Sequence, residues 1–566
     1  MTSRLARYAA ALAGFGWYLL LGGLPTLNPV NLNWVLGGDW RQHLLGWLFF
    51  RNEPWTFPLG TITSLPYPIG SSIGFTDSNP LVSILLKPFS PWLPAEFQFI
   101  GPWLALCFIL QGYFGAMLAS TVTTKPVQQW LGGCVFAASP VLAARLGHDT
   151  LCAQWLLLGL LSVGLREYRD DADVRRGARL AIILATLAAS IHPYLTAMSA
   201  TLAYAGYLRL WRARLVTGLR AVSLVALTTA CMLAVMYAIG YFAGADSGSV
   251  GFGHYSADLA TFFDSMGYSR LMPNLNLQEG RWEGFGFLGI GGLMGAAIAI
   301  VMWIRTRPAL RRGTGVVITV AVLMFCFALS VRVTFLDTHI ARLHHVYDSL
   351  SFLTGPFRAS GRFIWPLYYL VLLAGIWAVT RERTGGAQLS TGALARSGAL
   401  AYLRTGVLLA IVLVQSADFR QVYPLLEDKH FREPPDLSLA KGHYRHMAVY
   451  PAQILGACGG LYEEDHVYRF MLAAYRLNVT YNSGIFARAS LERVQRTCGD
   501  FYRAVDKGQL DPQTIYVASS WTVPHLKELG AACGRFDGDW ICVSKDSDEV
   551  FRTYVATGRI IERKSP

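Results

Sequence analysis

The feature that most constrains the fold is a series of long apolar segments separated by short loops rich in arginine. Roughly 20 apolar residues are needed for a helix to cross a bilayer, and several segments reach or approach that length. The sequence therefore predicts a polytopic α-helical membrane protein with about 11 transmembrane helices. The predicted spans are 8–24, 101–121, 130–146, 150–165, 177–191, 194–211, 220–243, 286–305, 314–332, 363–380 and 404–418.

Composition agrees with a membrane protein and excludes nucleic-acid binding. Only 15% of the residues are charged and 53% are hydrophobic, whereas soluble domains carry roughly 25% charge. The net charge of +13 comes largely from arginines in short loops, with no basic stripe of interleaved aromatic residues. Frequent Arg and Ala with little Lys are typical of a bacterial protein, so we expect the bacterial inner membrane.

The distribution of arginine predicts the orientation of the spans. Loops on the cytoplasmic side of a membrane protein carry an excess of Lys and Arg, and alternate loops here carry runs of arginine. The first span follows Arg4 and Arg7 and lacks a small-residue cleavage site, so we predict an uncleaved helix with the N-terminus in the cytoplasm. The predicted cytoplasmic loops lie within 166–179, 209–220, 305–312 and 381–404.

Four segments are predicted to lie outside the cytoplasm: 25–100, 244–285, 333–362 and the chain after 418. In the first of them, 39–50 and 80–89 have apolar residues at helical spacing but are too short to span, which indicates helices lying at the membrane interface. Long loops in compact proteins are usually functional or disordered, and the aromatic content of these loops favours function.

The polar C-terminal region, 419–566, has the size of a separate domain. Residues 514–518 and 539–543 have strand-like patterns, and 472–477 and 491–497 have helical ones. The sequence therefore predicts a periplasmic α/β domain beside a transmembrane domain that covers residues 1–418.

Four cysteines of this region lie in a polar context, where three pairings are possible. Proximity along the chain favours Cys458 with Cys498 and Cys533 with Cys542. An even number of cysteines in a polar domain fits an oxidising compartment such as the periplasm. These cysteines could ligate zinc instead, but none of them has the C-x-x-C spacing that would support a zinc site.

Ionisable residues gather near the predicted outer ends of the spans, with no equivalent set on the cytoplasmic side. Such groups at membrane depth are costly and usually functional, although each one alone could form a structural ion pair. Asp39 in particular could simply pair with Arg41. The candidates are Asp39, Arg41, His43, Asp77, Lys87, Arg145, His148, Asp149, His192, His254, Arg270, Glu283, His344, His345, Arg358 and Arg362.

Motifs for other chemistries are missing from the sequence. His344 with His345, or His148 with Asp149, could ligate a metal, but neither has H-E-x-x-H-like spacing. There is no phosphate-binding G-x-x-x-x-G-K-S/T loop for an ATP-driven transporter. We therefore expect no cofactor and no dedicated metal site.

Arg358 and Arg362 predict a site for a lipid phosphate or pyrophosphate. They lie four residues apart at the start of a predicted span, so one helical face would present both. The planar guanidinium binds phosphate through two parallel hydrogen bonds. Snorkelling is the alternative, but arginines on the non-cytoplasmic side run against the usual charge bias.

The order of these features resembles the GT-C class of integral-membrane glycosyltransferases, which use polyprenyl-phosphate sugar donors such as undecaprenyl-phosphate sugars. In that class the first outer loop holds interfacial helices and a catalytic Asp or Glu. The resemblance covers about residues 8–420, and the later motifs are similar to an uncharacterised bacterial GT-C-like family. A second carboxylate beside the first, as in protein O-mannosyltransferases, is absent. The motifs are Gly38-Asp39-Trp40-Arg41-Gln42-His43, Arg145-Leu146-Gly147-His148-Asp149, Trp282-Glu283-Gly284-Phe285-Gly286-Phe287-Leu288-Gly289 and Phe357-Arg358-Ala359-Ser360-Gly361-Arg362-Phe363.

The resemblance implies an inverting sugar transfer to an extracytoplasmic glycan or lipid, for example in O-antigen, lipopolysaccharide or another surface polysaccharide. Asp39 would be the general base, and Asp77 is the rival candidate. The resemblance further implies cations that hold the leaving phosphate, for which the candidates are Arg358, Arg362, Arg270 and Lys87. Substrate-positioning roles fall to Arg41, His43, His148, Asp149, His192, His254, Glu283 and His345.

Two alternatives remain open at this stage. An O-antigen polymerase or ligase would place its essential arginines or histidine in a large late loop. A lipid or polysaccharide transporter would show polar residues near the bilayer midplane and inverted repeats, which the sequence does not display.

Overall fold

The computed structural model describes residues 1–243, 252–278, 280–350, 354–382, 391–422, 425, 431–454, 458–460 and 462–560. Parts of the predicted outer segments 244–285 and 333–362 therefore lie outside the described residues. The chain divides into two units. Unit 1 comprises residues 1–31, 99–235 and 249–427, and unit 2 comprises 32–98, 236–248 and 428–566.

Helices dominate the described chain, and strands are concentrated near the C-terminus. The α-helices are α1 (Ser3–Gly22), α2 (Trp40–Asn52), α3 (Pro80–Leu86), α4 (Ile100–Ala119), α5 (Pro126–Ala137), α6 (Pro140–Ala143), α7 (Trp155–Leu165), α8 (Asp171–Ala189), α9 (Pro193–Arg212), α10 (Gly218–Ile239), α11 (Gly289–Thr306), α12 (Thr314–Leu329), α13 (His344–Asp348), α14 (Trp365–Thr380), α15 (Thr391–Asp418), α16 (Glu464–Leu477), α17 (Leu491–Asp506), α18 (Val523–Glu528) and α19 (Glu549–Thr557). The strands are β1 (Thr61–Ile62), β2 (Ser71–Ser72), β3 (Arg332–Phe335), β4 (Thr338–Arg342), β5 (His446–Tyr450), β6 (Thr480–Tyr481), β7 (Thr514–Ala518), β8 (Ala532–Phe536) and β9 (Asp539–Val543).

Every predicted span overlaps a helix, but the predicted count of eleven is not confirmed. Among the described residues, 6 helices are long and apolar enough to cross a membrane, and two apolar helices are shorter. The segment predicted at 130–146 breaks between α5 and α6 because Pro140 cannot donate a helical hydrogen bond. The six are Ser3–Gly22, Ile100–Ala119, Gly218–Ile239, Gly289–Thr306, Ser360–Thr380 and Ala399–Asp418.

Glycines let α1 and α4 of unit 1 pack backbone against backbone. A Cβ on Gly14 would overlap the carbonyl oxygen of Phe108, and a Cβ on Gly112 would overlap that of Ala10. Small residues at such crossings are the usual means by which membrane helices gain packing contacts. The first helix is therefore an integral part of unit 1.

The arginine-rich loops of unit 1 contact one another. Arg209 Nη1 donates to the Arg166 carbonyl at 2.8 Å, and Arg311 Nε lies 3.1 Å from Glu167 Oε1. Arg220 pairs with Asp171. Three loops that the charge pattern assigned to one side of the membrane therefore meet on one face of this unit.

Unit 2 is built on a mixed five-stranded sheet with the order β6-β5-β7-β9-β8. β5 pairs in parallel with β6 and β7, while β9 runs antiparallel to β7 and β8. The cysteines form the disulfides Cys458–Cys498 and Cys533–Cys542, and the second pair joins opposite residues of β8 and β9.

The first loop groups with the C-terminal region, and this differs from the predicted division at residue 418. Residues 32–98 fall within unit 2, where the Tyr67 N–H donates to the Tyr481 carbonyl and the Tyr481 N–H donates to the Ser64 carbonyl, at 2.7 and 2.9 Å. These backbone hydrogen bonds join segments about 400 residues apart, which no local sequence pattern reveals. The predicted interfacial helices correspond to α2 and to α3.

We predict that Gly14→Ala destabilises the protein and that Gly16→Ala, on the same helix, does not. The added methyl at position 14 would overlap α4, and overpacking typically costs about 1–3 kcal/mol. A Cβ on Gly16 would meet nothing within 4 Å. Thermal unfolding of both variants in detergent measures the difference, and equal unfolding temperatures would show that the α1–α4 contact is not tight.

Candidate functional site

Three buried charged side chains of unit 1 form what we call the arginine cluster: Arg145, Glu283 and Arg362. Arg362 Nη2 and Nε donate to Glu283 Oε1 and Oε2 at 2.6 and 2.8 Å, and Arg145 Nη1 donates to Oε2 at 2.7 Å. The three side chains are 8%, 13% and 9% exposed, in chain order. Two guanidinium groups face one carboxylate, so these three residues carry one excess positive charge.

Two glycines bring the segments of the arginine cluster together. Glu283 lies on a 3-10 helix, Arg281–Gly284, and Arg362 on another, Ser360–Ile364. A Cβ on Gly361 would lie 2.6 Å from Gly284 Cα, and one on Gly284 would overlap Ala257. The glycines following Glu283 and preceding Arg362 in the sequence motifs are therefore required for close approach.

Backbone carbonyls fix the second arginine. Arg145 Nη2 forms no ion pair with the described residues, and instead it donates to the Trp282 and Glu283 carbonyls at 2.8 and 2.9 Å. Its guanidinium carbon lies 5.7 Å from the centre of the Trp365 ring. Arg145 therefore holds both the side chain and the backbone of Glu283.

The arginines keep Glu283 ionised. Burial raises the pKa of this carboxyl, but the charges of Arg362 and Arg145 and their hydrogen bonds outweigh burial, so the pKa lies well below its ordinary value. The carboxylate is therefore a partner for arginine and not a proton donor at neutral pH.

An exposed rim of aromatic residues and one arginine lies next to the cluster in sequence. Arg358 is exposed, forms no ion pair with any described residue, and lies 5.5 Å from the centre of the Tyr255 ring. Tyr255 contacts His254 and Trp282, with ring centres 4.6 and 6.2 Å apart. We call Arg358, Tyr255, Trp282 and His254 the aromatic rim.

Tyr194 connects Arg358's segment to two of the predicted histidines. Its hydroxyl accepts a hydrogen bond from the Ala359 N–H at 2.8 Å, and Arg362 lies over its ring at 4.6 Å. His192 Nδ1 accepts from the Tyr194 N–H at 3.2 Å, and its ring centre lies 5.9 Å from that of His148. Neutral His192 therefore carries its proton on Nε2.

Three other candidate site residues of unit 1 lie in environments that differ from one another. Asp149 is buried, and its carbonyl accepts from Trp103 Nε1 at 2.9 Å. Arg270 is exposed and is held through its backbone N–H, which donates to Asp418. His345 is exposed on α13. No described contact joins Arg270 or His345 to the arginine cluster.

In unit 2, the side chain of Asp39 is exposed at the start of α2. Its carboxylate does not cap that helix and makes no hydrogen bond or ion pair with the described residues, while its backbone carbonyl accepts from the Gln42 and His43 N–H groups. Arg41 instead pairs with Asp465 and, at 3.0 Å, with Glu464, and lies 4.6 Å from the centre of the Tyr468 ring. The alternative that Asp39 simply pairs with Arg41 is therefore not what the structure contains.

The rival carboxylate, Asp77, lies close to His43. Their potential metal-ligating atoms are within 4.8 Å of each other, so the pair can supply two ligands to a cation. Asp77 adopts a left-handed backbone with φ of 55°, which Asp tolerates better than most residues. A Cβ on Gly46 would overlap Thr76 and Ser78, so this glycine allows the Asp77 loop to approach α2.

Lys87 is enclosed by aromatic rings. Its Nζ lies 4.1 Å from the centre of the Phe50 ring and 4.6 Å from that of Trp55. Burial lowers the pKa of this lysine, and the charge of Glu53 opposes that shift. Its ammonium group thus has cation–π partners within unit 2.

Several residues of these clusters were not predictable from the sequence. Tyr194 and Tyr255 are aromatic residues among many, and nothing in their spacing marks them. Glu464 and Asp465 lie more than 420 positions after Arg41. The sequence motifs did include Trp282 and the three members of the arginine cluster.

We predict that Glu283→Gln destabilises the protein by about 3–5 kcal/mol at neutral pH, since removing one member of a buried ion pair leaves uncompensated charge. Because the folded-state pKa of Glu283 lies below the unfolded value, its contribution is complete above about pH 4.5 and is lost as pH falls towards the folded pKa. Thermal unfolding of both proteins from pH 7 to pH 3.5 tests this. A difference that grows on acidification would contradict it.

The whole structure resembles the crystal structure of ArnT from Cupriavidus metallidurans bound to undecaprenyl phosphate. The TM-score is 0.50, 14% of residues are identical, and the similarity covers 96% of this chain and 98% of that chain. At this identity the likeness establishes the fold alone, and it confirms the predicted GT-C-like fold in outline.

No curated protein sequence matches the chain. Family models match in two parts: a domain of unknown function, DUF6311, over residues 11–420, and the DUF6311 C-terminal domain over residues 436–544. The chain is therefore a member of the DUF6311 family.

Proposed function

We propose that the protein is a membrane glycosyltransferase that transfers a sugar from a polyprenyl-phosphate donor to an extracytoplasmic glycan or lipid. The ArnT-like fold supports this class of function, and the ArnT structure holds undecaprenyl phosphate. We place the acceptor among surface polysaccharides or lipopolysaccharide components such as O-antigen. The proposed reaction uses no cofactor.

The observation that carries the proposal is the exposed carboxylate of Asp39, which has no hydrogen-bond or ion-pair partner among the described residues. In the proposed reaction it accepts the proton of an acceptor hydroxyl while the oxygen of that hydroxyl attacks the anomeric carbon. The bond between the anomeric carbon and the phosphate oxygen breaks. Polyprenyl phosphate leaves with the electron pair, and the configuration at the anomeric carbon inverts.

Asp39 suits the role of base better than Asp77. A base must reach its substrate, and the Asp39 side chain is exposed without a protein partner among the described residues, whereas Asp77 is partly buried beside His43. We assign Asp77 and His43 to positioning, because a carboxylate beside an imidazole is suited to orient it.

Arg358 is the best candidate for a contact to the donor phosphate. Arg362 and Arg145 already donate to Glu283, while Arg358 is exposed and forms no ion pair with a described residue. A guanidinium can hold phosphate through two hydrogen bonds. The tyrosine and tryptophan of the aromatic rim offer surfaces that suit a sugar ring.

The proposed setting is a bacterial inner membrane with the N-terminus in the cytoplasm and unit 2 in the periplasm. The two disulfides of unit 2 support an oxidising compartment. The meeting of the arginine-rich loops on one face of unit 1 supports their common cytoplasmic side.

We predict that Asp39→Asn lowers the rate of polyprenyl-phosphate release from a polyprenyl-phosphate sugar by about 10²–10⁴-fold, since the amide cannot accept the proton. The assay uses full-length protein in nanodiscs with a bacterial membrane extract as the acceptor source. Binding of undecaprenyl phosphate and the unfolding temperature should stay unchanged.

Asp77→Asn is the matched control, and we expect a smaller loss of rate. Turnover of Asp39→Asn within twofold of wild type would refute the base assignment. A wild-type protein that releases no polyprenyl phosphate from any donor would refute the proposed function itself.

We predict that Arg358→Gln weakens binding of undecaprenyl phosphate at least about tenfold, because one charge-assisted contact contributes roughly 1.5–3 kcal/mol. Arg332→Gln is the control, since Arg332 is also an exposed arginine of unit 1. Equal affinities of the two variants, measured by displacement of a labelled lipid, would remove Arg358 from the donor site.

A further inference from the structure

Unit 2 contains a cavity of about 430 Å³ that is lined by apolar side chains, hydroxyl side chains and two arginines. Its two ionisable lining residues are Arg488 and Arg493, and no Asp or Glu lines it. The apolar side chains include two aromatic rings, Phe57 and Phe75. Ligand pockets typically measure roughly 300–1,000 Å³, so the volume suits a small ligand. We call this cavity the basic cavity.

Arg493 is available to a ligand. It is exposed and forms no ion pair with a described residue. The neighbouring carboxylate on α17, Glu492, pairs with Arg496 at 2.6 Å. The positive charge of Arg493 is therefore not cancelled by a partner within the described part of unit 2.

The basic cavity also meets the N-terminus of α17, a helix of 16 residues. Ser490 is the N-cap residue and lines the cavity, but its side chain does not cap the helix. Free N–H groups and the helix dipole at such an end favour an anion. Arg493 lies in the same first turn, so two sources of positive potential converge.

The β1–β2 hairpin forms another wall of the basic cavity and brings hydroxyl side chains to it. Segments from distant parts of the chain thus line one space.

We propose that the basic cavity binds a phosphate group carried by a sugar or by a lipid headgroup. Arg488, Arg493 and the α17 N-terminus would hold the phosphate, and Phe57 with Phe75 would contact the attached group. The proposal goes beyond the sugar transfer assigned to Asp39 and does not depend on it. Phe75 lies two residues before Asp77, so the cavity adjoins the loop of the rival carboxylate.

The test measures binding to full-length protein in phosphatidylcholine nanodiscs by titration calorimetry. Glucose 1-phosphate should bind, and glucose should bind at least tenfold more weakly. Arg493→Gln should weaken the binding of glucose 1-phosphate at least tenfold. Arg496→Gln is the matched control on the same helix, because Arg496 pairs with Glu492 and does not line the basic cavity.

A second arm identifies the source of the phosphate. Nanodiscs containing phosphatidylglycerol should abolish glucose 1-phosphate binding if the natural group is a lipid headgroup, and should leave it intact if the group is a soluble sugar phosphate. Equal binding of glucose and glucose 1-phosphate would overturn the proposal. So would equal effects of Arg493→Gln and Arg496→Gln, or no binding in either arm.

The result of the glucose 1-phosphate binding test can be distinguished from the result of the sugar-transfer assay. Asp39→Asn should bind glucose 1-phosphate as wild type does, because Asp39 does not line the basic cavity. A loss of binding in Arg493→Gln with unchanged unfolding temperature therefore concerns this cavity alone.

Discussion

The organisation of unit 1 around its polar face depends on a single carboxylate shared by two arginines. Burying Glu283 removes it from water at a high electrostatic cost, and only the paired guanidinium groups of Arg145 and Arg362 offset that cost. The ion pairs join three segments distant in sequence. Their geometry in turn requires two glycines, because a Cβ on Gly361 would overlap the Gly284 backbone of the other 3-10 helix and a Cβ on Gly284 would overlap Ala257.

The arginine cluster also sets the local charge. With one carboxylate for two guanidinium groups, it leaves positive charge in a poorly solvated region, where an anion is attracted more strongly than in water. Its hydrogen-bond donors, however, are largely used within the protein. In the proposed function, direct contact with the donor phosphate therefore falls to a residue outside the cluster, and Arg358 on the aromatic rim is exposed. The cluster would then contribute structure and positive potential, and Arg358 the contact.

Local patterns in the sequence predicted the membrane class, the positions of the helices and the cysteine pairs, because hydropathy, charge bias and proximity are local properties. The Trp-Glu-Gly and Gly-Arg-Phe stretches also pointed to residues that meet in the structure. The partners of Arg41, the enclosure of Lys87 and the grouping of 32–98 with the C-terminal sheet were not predictable, since they depend on contacts between distant segments. The predicted count of eleven spans is not confirmed, because helices such as α5 and α8 are shorter or more charged than the six that meet the length and hydropathy of a span.

Arg41 shows how such a distant contact bears on chemistry. A carboxylate beside an arginine is a weaker base, because the positive charge favours its ionised form. Only Trp40 separates Asp39 from Arg41 in the sequence, and a local pair was the simplest expectation. Glu464 and Asp465 instead draw Arg41 towards α16, where Tyr468 also covers its guanidinium group. The acidic start of α16 thereby pairs with Arg41, and the exposed Asp39 side chain forms no ion pair with a described residue, which is consistent with the base role that we propose for it.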